Sequence, residues 1–325
     1  MRAARLRAPR QWELIDADDK DPQPGSMLVR MERVALCGSD MPEFHGAPLL
    51  YPRPQGGTGH EGLGRVQACP SGSYREGERV LLWGFDRQEG LFQEQVLTTD
   101  QGLLSLPADG EPEVLLMSQL LGTVLRCFGR LGNVLDLHAV VVGQGPAGLL
   151  FDAVLRNLGA RTIIGIDPLD YRLEAGRLMG ATHTVNPTRD PDLAEAIGDL
   201  TGGALADLVV EAVGAETTYG WCADLVRRQG TVIGFGVPDK ENHDGVIQLP
   251  LLAMQRREVR LVMSVNAGDN PIDDYTNALD WILQGRLDVR PLVSHILPFA
   301  DIQPAFELAA DKPVDARPVK VVLRF

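Results

Sequence analysis

Cysteine is sparse in this chain: Cys37, Cys69, Cys127 and Cys222 are four residues in 325, far apart and never in C-x-x-C spacing. That excludes a disulfide framework and a locally spaced structural zinc knuckle, and it fits a reduced compartment. Long apolar runs are missing too. The most apolar stretch, Val114 to Leu125, is too short to cross a bilayer. The N-terminal segment MRAARLRAPRQWEL is basic with no apolar run behind it, so neither signal peptide nor membrane anchor is expected, and the expected location is cytoplasmic. Positive charge is also short. A formal net charge of −13 disfavours nucleic acid and an anionic membrane as partners, because both need a positive surface. Lysine supplies only 4 of the 31 basic residues, a bias that nothing in the sequence explains.

What is present is enough apolar material, 44% of residues, for two sizeable cores. From Met27 to about Thr98 short strands such as MLVRMERVAL, GLGRVQAC, ERVLLW and FQEQVLT alternate with glycine and proline, which predicts an irregular, mainly antiparallel β domain. The pattern turns helical at Glu111. From His138 strands and helices alternate regularly: THTV, a helix over Asp192 to Leu200, DLVVEAVG, a helix over Thr217 to Val226, GTVIGFG, a short helix over Leu251 to Arg257, and a sixth strand near VRLVMSV. This predicts a doubly wound parallel sheet. Past Val265 come helices around Asp274 to Gln284 and Ala300 to Ala310, then the terminal strand VKVVLRF. The expected class is therefore α/β, with a parallel-sheet domain over 121–265 inserted into a β domain made of 1–120 and 266–325, and a cleft between them.

The stretch from His138 to Asp167 reads as strand, glycine turn, helix and strand. Val140 to Val142 run into Gly143, and Gly143, Gly145 and Gly148 stand in G-x-G-x-x-G spacing. The first glycine allows the tight turn, the second lets backbone approach a pyrophosphate, and the third lets helix pack on strand. The helix N-terminus then faces the phosphates with unpaired N–H groups. Asp167, ending the next strand, is placed to accept from an adenosine ribose, and its charge would repel a 2′-phosphate. The expected cofactor is NAD, on a Rossmann fold. Its binding set is Gly143, Gly145, Pro146, Ala147, Gly148, Asp167 and Arg172.

Three clusters precede that turn: Cys37-Gly38-Ser39-Asp40, Gly59-His60-Glu61-Gly62 and Met117-Ser118-Gln119-Leu120. Thiolate, imidazole and carboxylate are ligand types that zinc takes in tetrahedral sites, but their separation in sequence leaves buried core residues as the alternative.

The order C-G-S-D, G-H-E-G, V-V-V-G-Q-G-P-A-G and G-I-D, with GLFQEQV, ATHTVNP and ADIQPAFELAADKPVDARPVKVVL, resembles the zinc-containing medium-chain dehydrogenase/reductase family. It looks closest to the polyol, sorbitol and threonine dehydrogenase branch. The resemblance implies one catalytic zinc, with Cys37 and His60 as ligands and Glu61 able to bind the metal. It implies Ser39 as the hydroxyl that shuttles the substrate proton and Asp40 as the carboxylate that orients His60. It also implies a small-molecule alcohol or ketone substrate and a homodimer or homotetramer.

The chain departs from that pattern in three places. The family's further ligand, a Cys, Glu or Asp, falls on Gln119, whose neutral amide is the weaker donor. Cys37, His60 and Glu61 with a water could still fill four positions. The segment LLWGFDRQEGL carries no cysteine, so no structural zinc is expected. The histidine that ends the proton relay in some relatives falls on Pro42, so the relay stops at Ser39 or passes to water or to His45. Phe44, His45, Trp83, Phe85 and Asn266 are pocket candidates. The competing readings are a zinc-free nicotinamide-dependent reductase of the same superfamily and a non-catalytic NAD-binding protein.

Overall fold

Alanine and leucine inside an arginine-rich opening are enough to bury one side of strand β1 (Arg2–Ala8), which hairpins into β2 (Gln11–Asp16). Ala4 and Leu6 point into the core from it. The sequence reading places no strand here, because so few apolar positions do not stand out among the arginines. The structure is a computed structural model, which describes residues 1–47, 49–83, 90–99, 103–238, 245–265 and 271–325. Phe85 and Asn266 lie outside the described residues.

The antiparallel part follows. Strand β3 (Ser26–Ala35) leads to the short helix α1 (Met41–His45), then come β4 (Glu61–Ala68), β5 (Arg79–Trp83), β6 (Gln95–Thr99), β7 (Leu104–Ser105) and helix α2 (Pro112–Gly129). β3 pairs antiparallel with β4 and β6, β4 with β5, and β5 with β7.

Regular alternation then gives β8 (His138–Val142), α3 (Pro146–Asn157), β9 (Thr162–Ile166), α4 (Asp170–Met179), β10 (His183–Val185), α5 (Leu193–Leu200), β11 (Ala206–Glu211), α6 (Glu216–Leu225), β12 (Val226–Gly234), α7 (Leu251–Arg256) and β13 (Arg260–Met263). The strands lie in the order β10-β9-β8-β11-β12-β13, every pairing parallel, as the doubly wound expectation requires. Ala139, Val140 and Val141 are wholly buried because helices cover both faces of such a sheet. The strand order reverses on either side of β8. Its carboxyl end is therefore the switch point at which ligands bind in open α/β sheets.

The chain closes with α8 (Pro271–Leu283), β14 (Val293–Pro298), α9 (Ile302–Asp311) and β15 (Lys320–Arg324). β15 inserts between β14 and β3, and the Leu36 N–H donates to the Val321 carbonyl at 2.9 Å. Phe306 of α9 packs on Trp12 (4.8 Å between ring centroids), Phe44 (5.2 Å) and Phe92 (5.4 Å). Phe44 is thus a core residue. Two compact units result. One comprises Met1–Leu120, Tyr275–Ile282 and Val293–Phe325, and the other Leu121–Asp274 and Leu283–Leu292. Among the described residues no helix is long and apolar enough to cross a membrane.

The glycine turn sets the tightest backbone constraint in the second unit. Gly143 has φ 92°, and a Cβ on Gly148 would sit 1.8 Å from the Gly143 carbonyl oxygen. Backbone cannot yield as a flexible side chain does. Gly148→Ala is expected to destabilise the protein by about 3 kcal/mol or more. Urea unfolding checks this, and an unchanged midpoint would contradict it.

Candidate functional site

The C-G-S-D segment leaves β3 in a single 3-10 turn, Gly38–Asp40, which folds the Asp40 carboxylate back over the start of the turn. The Cys37 N–H donates to Asp40 Oδ2 at 2.7 Å. Asp40 Oδ1 lies 3.4 Å from His60 Nδ1, and that nitrogen is also 2.9 Å from the Thr58 carbonyl. A carbonyl only accepts, so Nδ1 carries a proton and Nε2 is the ring atom left for a ligand or a second proton. Ser39 Oγ stands 3.3 Å from Nε2. Burial opposes the charge on both partners, yet each outweighs it for the other. His60 is held well above its ordinary range by Asp40 and by Cys37, and Asp40 is held below its own by His60, Thr58 and the Cys37 N–H.

Glu61 is the first residue of β4, and Lys320 the first of β15. Both are 1% exposed, and the Lys320 ammonium is 2.8 Å from Glu61 Oε1 and 2.6 Å from Oε2. Burial pulls the ammonium's pKa down, but Glu61, Cys37 and Asp40 around it raise it further, so Lys320 stays charged. The sequence reading missed Lys320. The one signal was a lysine heading an otherwise apolar buried strand.

The ligand atoms of Cys37, His60 and Glu61 all lie within 4.8 Å of one another. A soft thiolate, an imidazole with its far nitrogen anchored by a carboxylate, and a carboxylate held by a counter-charge together fit a tetrahedral zinc with one position left open. Gln119 is buried on α2, and its Nε2 donates to the Tyr275 hydroxyl at 3.4 Å. The Tyr275 ring meets Trp83 edge to face at 4.9 Å, and Trp83 pairs directly across from Glu61. Trp83, Tyr275 and Gln119 therefore continue as one run beside Glu61. Tyr275 was not foreseen, since it reaches the site from α8, 156 residues downstream of Gln119. His45 is exposed at the end of α1, 3.5 Å from Arg10, which itself pairs with Asp311. The structure does not bring it to the cluster. Pro42 is buried in α1.

In the second unit Gly145 caps α3 in extended conformation, with Pro146 and Ala147 opening the helix and Gly148 completing the turn. Pro146 is suited to this place, where an N–H would have no intrahelical partner. Asp167 is buried at the end of β9. Its Oδ2 accepts from the Gln144 N–H and its Oδ1 from the Leu169 N–H, each at 2.9 Å, and an Arg172 nitrogen lies 3.9 Å from Oδ2. The acid thus holds the turn. Each oxygen keeps a lone pair for a further donor.

Residues 23–108 match the alcohol dehydrogenase GroES-like domain family and residues 146–284 the zinc-binding dehydrogenase family. An alcohol dehydrogenase of Cupriavidus necator is 29% identical over 96% of both chains. An L-threonine 3-dehydrogenase of Caldanaerobacter subterraneus subsp. tengcongensis is 23% identical over 88% of both. In fold the chain is similar to the alcohol dehydrogenase of Thermus sp. ATN1, with a TM-score of 0.86 at 24% identity, covering 100% of this chain and 99% of that one.

Removing one partner of a buried ion pair leaves the other charge uncompensated. Lys320→Met is expected to cost the metal-free protein about 3–5 kcal/mol in chemical unfolding. A variant as stable as the parent would show that Lys320 does not hold the Glu61 carboxylate.

Proposed function

The chain belongs to the medium-chain dehydrogenase/reductase superfamily, and on that premise we propose that it is a zinc-assisted, NAD-linked dehydrogenase that oxidises a secondary alcohol or polyol to the ketone and catalyses the reverse reduction. The observation that carries this is the convergence of Cys37, His60 and Glu61 within 4.8 Å, with Ser39 beside the His60 ring. When bound, the metal supplies Lewis-acid polarisation of the substrate oxygen and the nicotinamide supplies the hydride acceptor.

The chain's own residues do the rest. Cys37, His60 and Glu61 would hold the metal, and Gln119 would offer an amide in place of the acidic or thiol ligand common among relatives. Asp40 fixes the orientation of the His60 ring. Ser39 takes the proton of the substrate hydroxyl and passes it to water. Lys320 neutralises the surplus negative charge of the donor set, and Trp83 and Tyr275 line the approach beside Glu61. Residues 1–120 and 266–325 form the catalytic part. Residues 121–265 bind the coenzyme, with Gly143, Gly145, Pro146, Ala147 and Gly148 at the pyrophosphate and Asp167 and Arg172 at the adenosine end. The Asp167 carboxylate disfavours a 2′-phosphate and so sets the preference for NAD.

No structural zinc is part of this reading, because the segment between Val80 and Phe92 has no cysteine. The protein would work in the cytoplasm as a dimer or tetramer. β13 is the edge strand of its sheet and exposes Leu261 and Met263, which suits it to pairing with a second copy.

The test is coenzyme reduction over a panel of secondary alcohols and polyols. Turnover is expected with NAD in preference to NADP, and Ser39→Ala is expected to lower kcat by about 10²-fold or more while keeping the metal. Undiminished kcat in that variant, or silence of the whole panel, would contradict the proposal.

A further inference from the structure

Helix α3 carries an acid that the proposed chemistry does not use. Asp152 is 0% exposed, and neither of its carboxylate oxygens has a hydrogen-bond donor. Its polar neighbour is the side chain of Gln144, equally buried, from the glycine turn. Gln144 Nε2 donates to the Val141 carbonyl at 3.5 Å, and Oε1 has no donor. Gly176 of α4 faces both groups: a Cβ there would lie 2.2 Å from Gln144 Oε1 and 3.5 Å from Asp152 Oδ2. On β9, a Cβ at Gly165 would lie 2.7 Å from Gln144 Cδ. Two glycines thus keep open the space that the amide and the carboxyl share.

Acceptors placed together in a dry interior with no donor between them repel one another, and a buried charge without a partner is costlier still. Among the described residues no cation answers the carboxylate. Of the charged groups on the elements packed around it, Arg156 on α3 and Glu174 on α4 are exposed, Arg177 bonds Thr184, and Arg172 lies against Asp167. Asp167 itself, at the end of β9, accepts from backbone N–H groups, and His138 stands at the opposite end of the sheet, at the start of β8. Burial pushes the Asp152 carboxyl well above the usual range, with only the neighbouring Gln144 amide pulling the other way. One proton resolves the conflict.

We propose that Asp152 is a neutral carboxylic acid in the folded protein, that its O–H donates to Gln144 Oε1, and that this bond positions the glycine turn for the dinucleotide. The last clause rests on the coenzyme site proposed above; the first two do not. Gln144 stands between Gly143 and Gly145, with its backbone N–H on Asp167 and its side chain on Asp152 and Val141. Asp152 is accordingly a positioning residue, which fixes the turn from inside the unit without touching a ligand.

A native carboxyl held above its unfolded value, which is near 3.8, keeps a proton that the unfolded chain gives up. Its stabilising effect is complete below about pH 4 and is lost as pH rises, by about tenfold in the folding equilibrium per pH unit, until the folded form ionises as well. Asp152→Asn keeps a donor for Gln144 and removes the titration. The experiment is chemical unfolding of the whole chain across pH for the parent and Asp152→Asn, with the parent's folding constant expected to fall relative to the variant's above about pH 4. Parallel curves would overturn the neutral acid.

Fluorescence titration with NADH tests the positioning role. Asp152→Asn is expected to bind like the parent, and Asp152→Val, which lacks a donor, about tenfold more weakly with kcat unchanged at saturation. Equal NADH affinity in all three would overturn that role, and loss of affinity in Asp152→Asn would do the same should Asp152→Val not fold. Absence of NADH binding even in the parent would remove the coenzyme reading, while the pH comparison still decides whether Asp152 is protonated.

Discussion

The ion pair between Glu61 and Lys320 is the interaction on which the first unit depends. It joins residues 259 positions apart, both buried, on strands from the two ends of the chain. Burying a carboxylate at the head of β4 is costly unless a cation lies against it. The cation comes from β15, which is set beside β3 by hydrogen bonding and by the packing of Phe306 against Trp12, Phe44 and Phe92. The same register puts Lys320 level with Cys37. The final strand is thus part of the site as well as of the sheet.

The second unit is organised by close backbone approach instead. Gly148 sits against the Gly143 carbonyl, Asp167 gathers the N–H groups of Gln144 and Leu169, and the buried amide of Gln144 fills the space left by Gly165 and Gly176. Charge organises one unit and steric fit the other. In each a side chain with no direct chemistry, Lys320 or Asp152, holds the residues placed to act.

The parallel sheet could be read from sequence because both its faces are buried. Each strand then appears as an apolar run between helical periods, and all six strands lie where the alternation puts them. The opening hairpin and β14 escaped notice, the latter because its residues alternate between half-buried and exposed. At the site, C-G-S-D and G-H-E-G were visible as local motifs, and the structure brings Cys37, Ser39, Asp40, His60 and Glu61 together. Lys320 and Tyr275 were not visible. Each comes from a distant segment whose local pattern is that of an ordinary strand or helix, and only tertiary packing gives it a partner. His45 shows the reverse: it is near the cluster in sequence, but a helix as short as α1 ends by turning it outward to Arg10.

Metal content tests the central claim most directly, by elemental mass spectrometry on protein purified without chelators, for the parent chain and for Cys37→Ala. The expected result is about one zinc per chain in the parent and none in the variant. Zinc absent from the parent even after reconstitution, or equal in both, would contradict a metal centre built on Cys37, His60 and Glu61.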